Sequence, residues 1–285
     1  MSIPIAAEPL FSIGFLPITN AYINSTILTI IFFLFALFMR FHVTKIPGKL
    51  QNAFESLLEF LFGYFDQVTG DREKSKRFLP LVGTLFLFIV LSNWMGLLPG
   101  TGTIGIWRLI HGEMELIPIL RPAASDMNLT LAMAILSVAA SHVFGMFTLG
   151  FFTHWNKFIQ LGTLWNAVRS FKPVAILTAV IEFVVGFIEL FSEAAKIVSL
   201  SLRLFGNIFA GEVLITVISS LIALIVPLPF LALELIVGVV QATVFSMLTL
   251  VYLTIATTQP HGAHEKKHTS EKGSHLVRDG MPIHS

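Results

Sequence analysis

Five stretches of this chain, at about residues 21–41, 78–98, 129–152, 173–222 and 230–257, are apolar over lengths that reach or exceed the roughly 20 residues a helix needs to cross a bilayer. A chain with such runs has few options. Backbone N–H and C=O groups find no partners in hydrocarbon, so a spanning segment must satisfy them within itself as a helix or close into a barrel. The alternation of apolar and polar residues that barrel strands need is absent, which leaves helices. Composition agrees: 55% of the residues are hydrophobic, 12% are charged, and the mean hydropathy is +0.82. The fold class is all-α, a polytopic membrane protein with about five transmembrane helices. Cysteine is absent, which excludes disulfides, thiolate chemistry and Cys-ligated metals. The first nineteen residues hold no Lys or Arg, so the positive leader of a cleavable signal peptide is missing and the first apolar run is expected to stay in the mature protein.

The fourth run is anomalous. No proline stands between Pro173 and Pro227, and a continuous helix of that length measures roughly 75 Å, more than twice the hydrocarbon thickness. It must either break, near Gly206 or Gly211, or lie steeply tilted against neighbours that impose the tilt. The segment Val226 to Pro229, "VPLP", then turns the chain into the fifth run, giving a C-terminal helical hairpin over 173–257. Residues 1–258 read as a single membrane domain and 259–285 as a polar, disordered tail.

Cations sort by loop. The connection 40–77 holds Arg40, Lys45, Lys49, Arg72, Lys74, Lys76 and Arg77; 153–172 holds Lys157, Arg169 and Lys172; the tail holds Lys266, Lys267, Lys272 and Arg278. The N-terminus, 99–128 and 223–229 hold only Arg108 and Arg121. Five crossings put these two sets on opposite sides, so the positive-inside rule places the N-terminus outside and the C-terminus inside. The formal net charge of +1 is no argument for nucleic acid, and none is expected as a partner. Within 42–77, "LQNAFESLLEFLFGYF" is apolar at helical spacing and fits an amphipathic helix on the inner surface or an ordinary loop helix.

Glu182, Glu189, Lys196 and Arg203 recur every seven residues in the fourth run, so they drift only about 20° per step and form one polar stripe. Lys196 has acidic company, with Glu193 at i−3 and Glu189 within two turns. Arg203 has none. Its neighbours at three and four residues are Ser199, Leu200, Gly206 and Asn207, so a carboxylate that offsets its charge must come from another helix or another protein. Arginine is always protonated; it cannot relay a proton, but as a fixed cation it favours the ionised form of a nearby carboxyl. Glu212 is half a turn round the helix from Arg203 and needs a separate polar environment. The fifth run offers Glu234, Gly238 and Gln241 along one face, and the hairpin brings either Glu234 near Glu212 or Gln241 near Arg203. Ionisable groups inside a membrane cost several kcal/mol each and mark pathways, so the pattern points to proton or ion movement with a cationic barrier between acidic approaches.

The run Ser199 to Glu212, "SLSLRLFGNIFAGE", and "VVQATVFSMLTLVYL" from Val239 resemble subunit a of the F-type ATP synthase; "NWMGLLP" from Asn93 and "RPAASDMNLTLAMAI" from Arg121 extend the likeness from Phe78 to Tyr252. The resemblance implies a stationary membrane subunit whose long tilted hairpin lies beside a rotating c-ring, anchored by b-type peripheral stalk subunits and surrounded by lipid. It implies that Arg203 is the essential arginine facing each c-subunit carboxylate, that Asn207 is the adjacent asparagine and that Gln241 packs near the arginine. Glu212 and Glu234 take the outer half-channel positions, and Glu189 lines the inner one. Position 234 is Glu where a His is often found, so coupled titration of two acids is expected on the outer side. Lys196, Glu193, Ser199 and His142 are further candidates on the path. The implied chain is non-catalytic, takes no cofactor and no metal, binds no nucleotide directly, carries H⁺ by default, and sits in a bacterial inner membrane, with an organellar inner membrane as the alternative.

Other motifs carry less. "GTGTIG" from Gly100 matches GxGxxG but follows a membrane helix and no strand, so it reads as an outer loop. The sequons at Asn24 and Asn128 abut hydrophobic spans and read as chance matches. His261, His264, His268, His275 and His284 suit a solvated tail better than a metal site. His142, beside Ser141 and Ser137, either lines a path or makes a packing hydrogen bond. No phosphate-cradling loop is present, so ATP belongs to other subunits. The competing reading, a self-contained ion-coupled secondary transporter, lacks its usual internal repeats and paired broken helices.

Overall fold

The computed structural model describes residues 9–13, 16–98, 105–110, 113–118, 121–151, 173–222 and 225–258. Among the described residues six α-helices carry the fold: α1 Asn20–His42, α2 Lys49–Thr69, α3 Arg72–Gly96, α4 Met127–Leu149, α5 Pro173–Leu221 and α6 Pro227–Thr257. All but α2 are long and apolar enough to cross a membrane. The five expected spans are present, each within a few residues of its sequence estimate.

Local chemistry sets the boundaries. The Thr19 hydroxyl caps α1 by accepting from Tyr22 N, and Asp71 and Asp126 cap α3 and α4 by accepting from Glu73 N and Asn128 N at 2.9 Å each. Gly70, at φ 66°, ends α2 in the left-handed region that glycine alone enters freely, and the chain folds straight into α3. The segment 42–77 is therefore not one surface element: α2 fills its middle, and residues from Arg72 onward already belong to the spanning α3. Pro227 opens α6 at the first helical position, where its missing N–H has no intrahelical role.

Two short antiparallel hairpins accompany the helices. β1 Pro9–Ile13 pairs with β2 Leu16–Thr19, and β3 Gly105–Ile110 pairs with β4 Glu113–Pro118, with Gly105 opposite Pro118 and Ile110 opposite Glu113. Their strands are only 4–6 residues long, too short for alternation to stand out beside twenty-residue apolar runs. Both hairpins lead into helix starts on the same side. "GTGTIG" contributes only Gly105 to β3, the rest lying outside the described residues, as do the connection 152–172 and the tail from 259.

The fourth run forms a single helix. α5 is one uninterrupted 49-residue helix, about 73 Å long, with no break at Gly206 or Gly211. Neighbours hold it: α4 and α6 both pack along it. Leu200, Leu204 and Ile208 of α5 enter a shared core with Leu61 and Phe65 of α2, Phe78, Val82 and Ile89 of α3, Ala134 of α4 and Phe245 and Leu250 of α6. Lipid tails are as apolar as leucine, so helices associate through close packing over small residues. A Cβ on Gly96 would overlap the Pro122 ring, and one on Gly238 would sit 3.3 Å from Asn93 Cβ. These approaches clamp α3 to the turn before α4 and to α6.

Candidate functional site

The inward face of α5 is set by Leu200, Leu204, Ile208 and Gly211, at the three- and four-residue spacing of one helical stripe. Arg203 falls off that stripe and is exposed, as are Ser199, Gly206, Asn207 and Ala210 beside it. Its one hydrogen bond among the described residues runs from Nη2 to Ser199 Oγ at 3.5 Å, and no carboxylate lies within ion-pair distance. The helix thus presents a guanidinium on a surface of small residues, and no atoms crowd the Gly206 position.

Toward Leu221, Glu212 turns to the opposite side, as its half-turn offset requires, and meets Arg121. Arg121 Nε donates to both Glu212 oxygens at 2.9 and 3.1 Å, and Nη2 donates to Oε2 at 3.1 Å. This ion pair is buried, with Arg121 only 4% exposed and Glu212 21%. α1 positions the arginine's backbone: Asn24 Nδ2 donates to the Arg121 carbonyl at 2.7 Å, and Asn20 Nδ2 to the Pro118 carbonyl at 3.3 Å. The sequon asparagine Asn24 is therefore a buried structural donor.

Glu234 approaches α5 one residue short of the expected meeting with Glu212. Its carboxyl fills the space a side chain on Gly211 would take, and it is 9% exposed. One turn and two turns further along α6 come Gly238, packed on Asn93, and Gln241. Gln241 Oε1 accepts from Asn207 Nδ2 at 2.6 Å, so it is joined to the neighbour of Arg203 and not to Arg203 itself. Asn93 Oδ1 and Nδ2, Gln241 Nε2, Ser92 Oγ and Ser246 Oγ are buried and make no protein hydrogen bond among the described residues. These atoms make the α3–α6 seam from Glu234 past Asn93 to Gln241 polar.

Toward Pro173 the groups are drawn together differently. Lys196 Nζ donates to Glu193 Oε1 at 2.6 Å and lies 5.1 Å from the centroid of the Tyr252 ring. His142 Nε2 is 3.6 Å from Glu193 Oε2. Glu189 and His142 line the same cavity. Thr130 Oγ1 and Ser201 Oγ, 3.2 Å apart, tie α4 to α5 between this cluster and Arg203. No group of three or more His, Asp or Glu among the described residues is placed to hold a metal ion.

Two site residues escaped the sequence reading. Arg121 was read only as a loop cation, because nothing in a linear sequence pairs it with a glutamate 91 residues away. Asn93 was part of a quoted motif without a role; the available signal was a polar amide near the end of an apolar run.

The ATP synthase A chain family model matches residues 22–254 of the chain. ATP synthase subunit a of Moorella thermoacetica is 30% identical over 244 residues, covering 86% of this chain and 93% of the relative. The Mycobacterium ulcerans protein of the same name is 33% identical over 243 residues, covering 84% and 86%. ATP synthase subunit a 1 of Syntrophotalea carbinolica is 28% identical over 257 residues, covering 89% and 91%.

Proposed function

The chain belongs to the ATP synthase A chain family, and from that premise we propose that it is the stationary subunit that carries protons between two half-channels and a ring of c subunits. Family membership supports a multi-pass, proton-transporting subunit of the ATP synthase membrane sector that assembles with other subunits of the complex. The observation that carries the finer reading is Arg203: a permanent cation on a lipid-length helix, exposed, flanked by Gly206 and Ala210, and without a carboxylate of its own. A charge of that kind is tolerated when a partner supplies the acid. A c-subunit carboxyl on a helix passing over Gly206 fits.

In this reading a proton enters from the outer side along Glu212 and Glu234, follows the polar seam past Asn93 and Gln241, and neutralises a c-subunit carboxylate. The neutral carboxyl turns through lipid. When it returns to Arg203, the guanidinium favours its ionised form and the proton leaves toward Glu189 on the inner side. Arg203 separates the two routes, because a continuous water path would dissipate the gradient without turning the ring. The membrane potential contributes about 2.3 kcal/mol per charge per 100 mV, so several protons are pooled for each ATP. The b-type stalk subunits hold the chain against rotation, ATP chemistry takes place elsewhere in the complex, and the subunit itself is non-catalytic. In this reading the C-terminus lies inside a bacterial inner membrane, an orientation that the cation-rich loops support.

ATP-driven proton pumping in inverted vesicles carrying Arg203→Lys tests this, with assembly of the complex checked first. Pumping is expected to be lost with assembly intact. Retained pumping would assign Arg203 a structural role and remove the mechanism.

A further inference from the structure

The docked face of α1 is short. Its buried residues are Asn20, Ala21, Asn24 and Leu28, and nothing from Thr29 to His42 is buried. Both asparagines reach across to carbonyls ahead of α4: Asn20 Nδ2 donates to Pro118 O at 3.3 Å, and Asn24 Nδ2 to Arg121 O at 2.7 Å. Asn20 also satisfies its Oδ1, which accepts from Ala21 N at 2.9 Å. Asn24 does not: it is 1% exposed, and its Oδ1 makes no hydrogen bond among the described residues. An apolar side chain would pack there without the desolvation cost of a half-satisfied amide. What the amide adds is its bond to Arg121. The Arg121–Pro122 peptide carries no N–H, so its carbonyl is its one hydrogen-bonding atom, and Asn24 donates to it. On the other side the Pro122 ring fills the space beside Gly96 of α3. The Arg121 backbone is thus held between α1 and α3 while its side chain spans to Glu212 of α5.

We propose that Asn24 is a positioning residue for proton passage: through the Arg121 carbonyl it aims the guanidinium at Glu212 and so fixes where the Glu212 carboxyl stands. The proposal rests on the reading of the chain as a proton-carrying subunit with Glu212 on its outer route, and it gives α1 a part in that route without touching it. A planar guanidinium meets both oxygens of a carboxyl group only from a narrow range of positions, so the placement of its backbone matters. Aimed, the Arg121 fork holds the Glu212 carboxyl beside Gly211, the position whose side-chain space the Glu234 carboxyl fills. Misaimed, it lets Glu212 swing away from Glu234, and displacements of that order slow a transfer between groups.

The test uses inverted vesicles with the whole complex and reads ATP-driven proton pumping per assembled complex. Asn24→Leu is expected to lower pumping about fivefold, the rate equivalent of one hydrogen bond. Asn20→Leu removes a bond from the same face of α1 but acts three residues before Arg121, and pumping should stay within about twofold of the parent. The decisive comparison is a double-mutant cycle. In an Arg121→Lys background the fork is already gone, so adding Asn24→Leu should lower pumping by less than about a further twofold, whereas a general loosening of α1 would repeat the fivefold loss. Pumping near the parent's in Asn24→Leu, equal losses in Asn24→Leu and Asn20→Leu, or a repeated fivefold loss in the Arg121→Lys background would overturn the proposal. So would failure of Asn24→Leu to assemble where Asn20→Leu assembles, which would make Asn24 a folding residue. Pumping retained in Arg203→Lys would instead remove the underlying reading, so the two failures are distinguishable.

Discussion

Arg121 and Arg203 both meet α5, and the protein treats them in opposite ways. Arg121 arrives from the loop before α4, is buried, and grips both oxygens of Glu212 with its planar fork. Arg203 grows from α5 itself, is exposed, and reaches only the hydroxyl of Ser199 at 3.5 Å. The first is a paired cation that ties the Leu221 half of α5 to the segment leading into the 3-10 turn at Ala123–Ser125. The second is left without a carboxylate among the described residues. Geometry, more than residue type, separates a paired arginine from an open one.

The sharpest way to break this contrast is to exchange each arginine for lysine. Arg203→Lys should abolish ATP-driven pumping in assembled complexes, whereas Arg121→Lys should reduce it only partly, because lysine keeps the charge but loses the fork. Equal losses at the two positions would erase the distinction. Arg121→Met should act on stability: it leaves Glu212 uncompensated in a mostly buried site, at a cost of up to about 3–5 kcal/mol, read as a lower melting temperature of the detergent-solubilised complex. No change in melting would mean that Glu212 is wet enough to stand alone.

Gly211→Val sharpens the comparison at the hairpin, since its side chain must displace the Glu234 carboxyl. Pumping should fall more than melting temperature does, and the reverse order would make Gly211 a packing residue only. Gln241→Ala removes the 2.6 Å bond to Asn207, and a destabilisation of about 1 kcal/mol is expected. Beside these, the exposed Asp66–Arg72 pair, at 2.6 Å, should matter least. The Ser75 hydroxyl first, then Arg72, hold the Asp66 carboxyl below the usual carboxylate range. Its contribution is thus present above the unfolded value near 3.8 and lost as pH falls through the lower folded value. A pH-melting curve of Arg72→Ala should differ from the parent slightly near neutrality and converge with it in acid.

Much of this was legible in the chain. Apolar length determined five spans because hydrocarbon leaves the backbone no partner but its own helix, and seven-residue spacing determined the stripe from Glu182 to Arg203 because helical phase is a local property. The absence of an acid within a turn of Arg203, and the presence of Glu193 within a turn of Lys196, were equally local. What the sequence left open was every choice between distant segments. It allowed Glu234 to meet Glu212 or Gln241 to meet Arg203; packing put Glu234 against Gly211 and Gln241 on Asn207, since two small-residue contacts, at Gly211 and Gly238, set how deeply α6 seats. It allowed α5 to break or to tilt; the helix runs whole, packed against α4 and α6. It also concealed the Arg121–Glu212 and His142–Glu193 contacts, whose partners lie 91 and 51 residues apart in the chain. Local backbone physics fixes what each segment is, while the partner of a buried charge is decided only when helices dock.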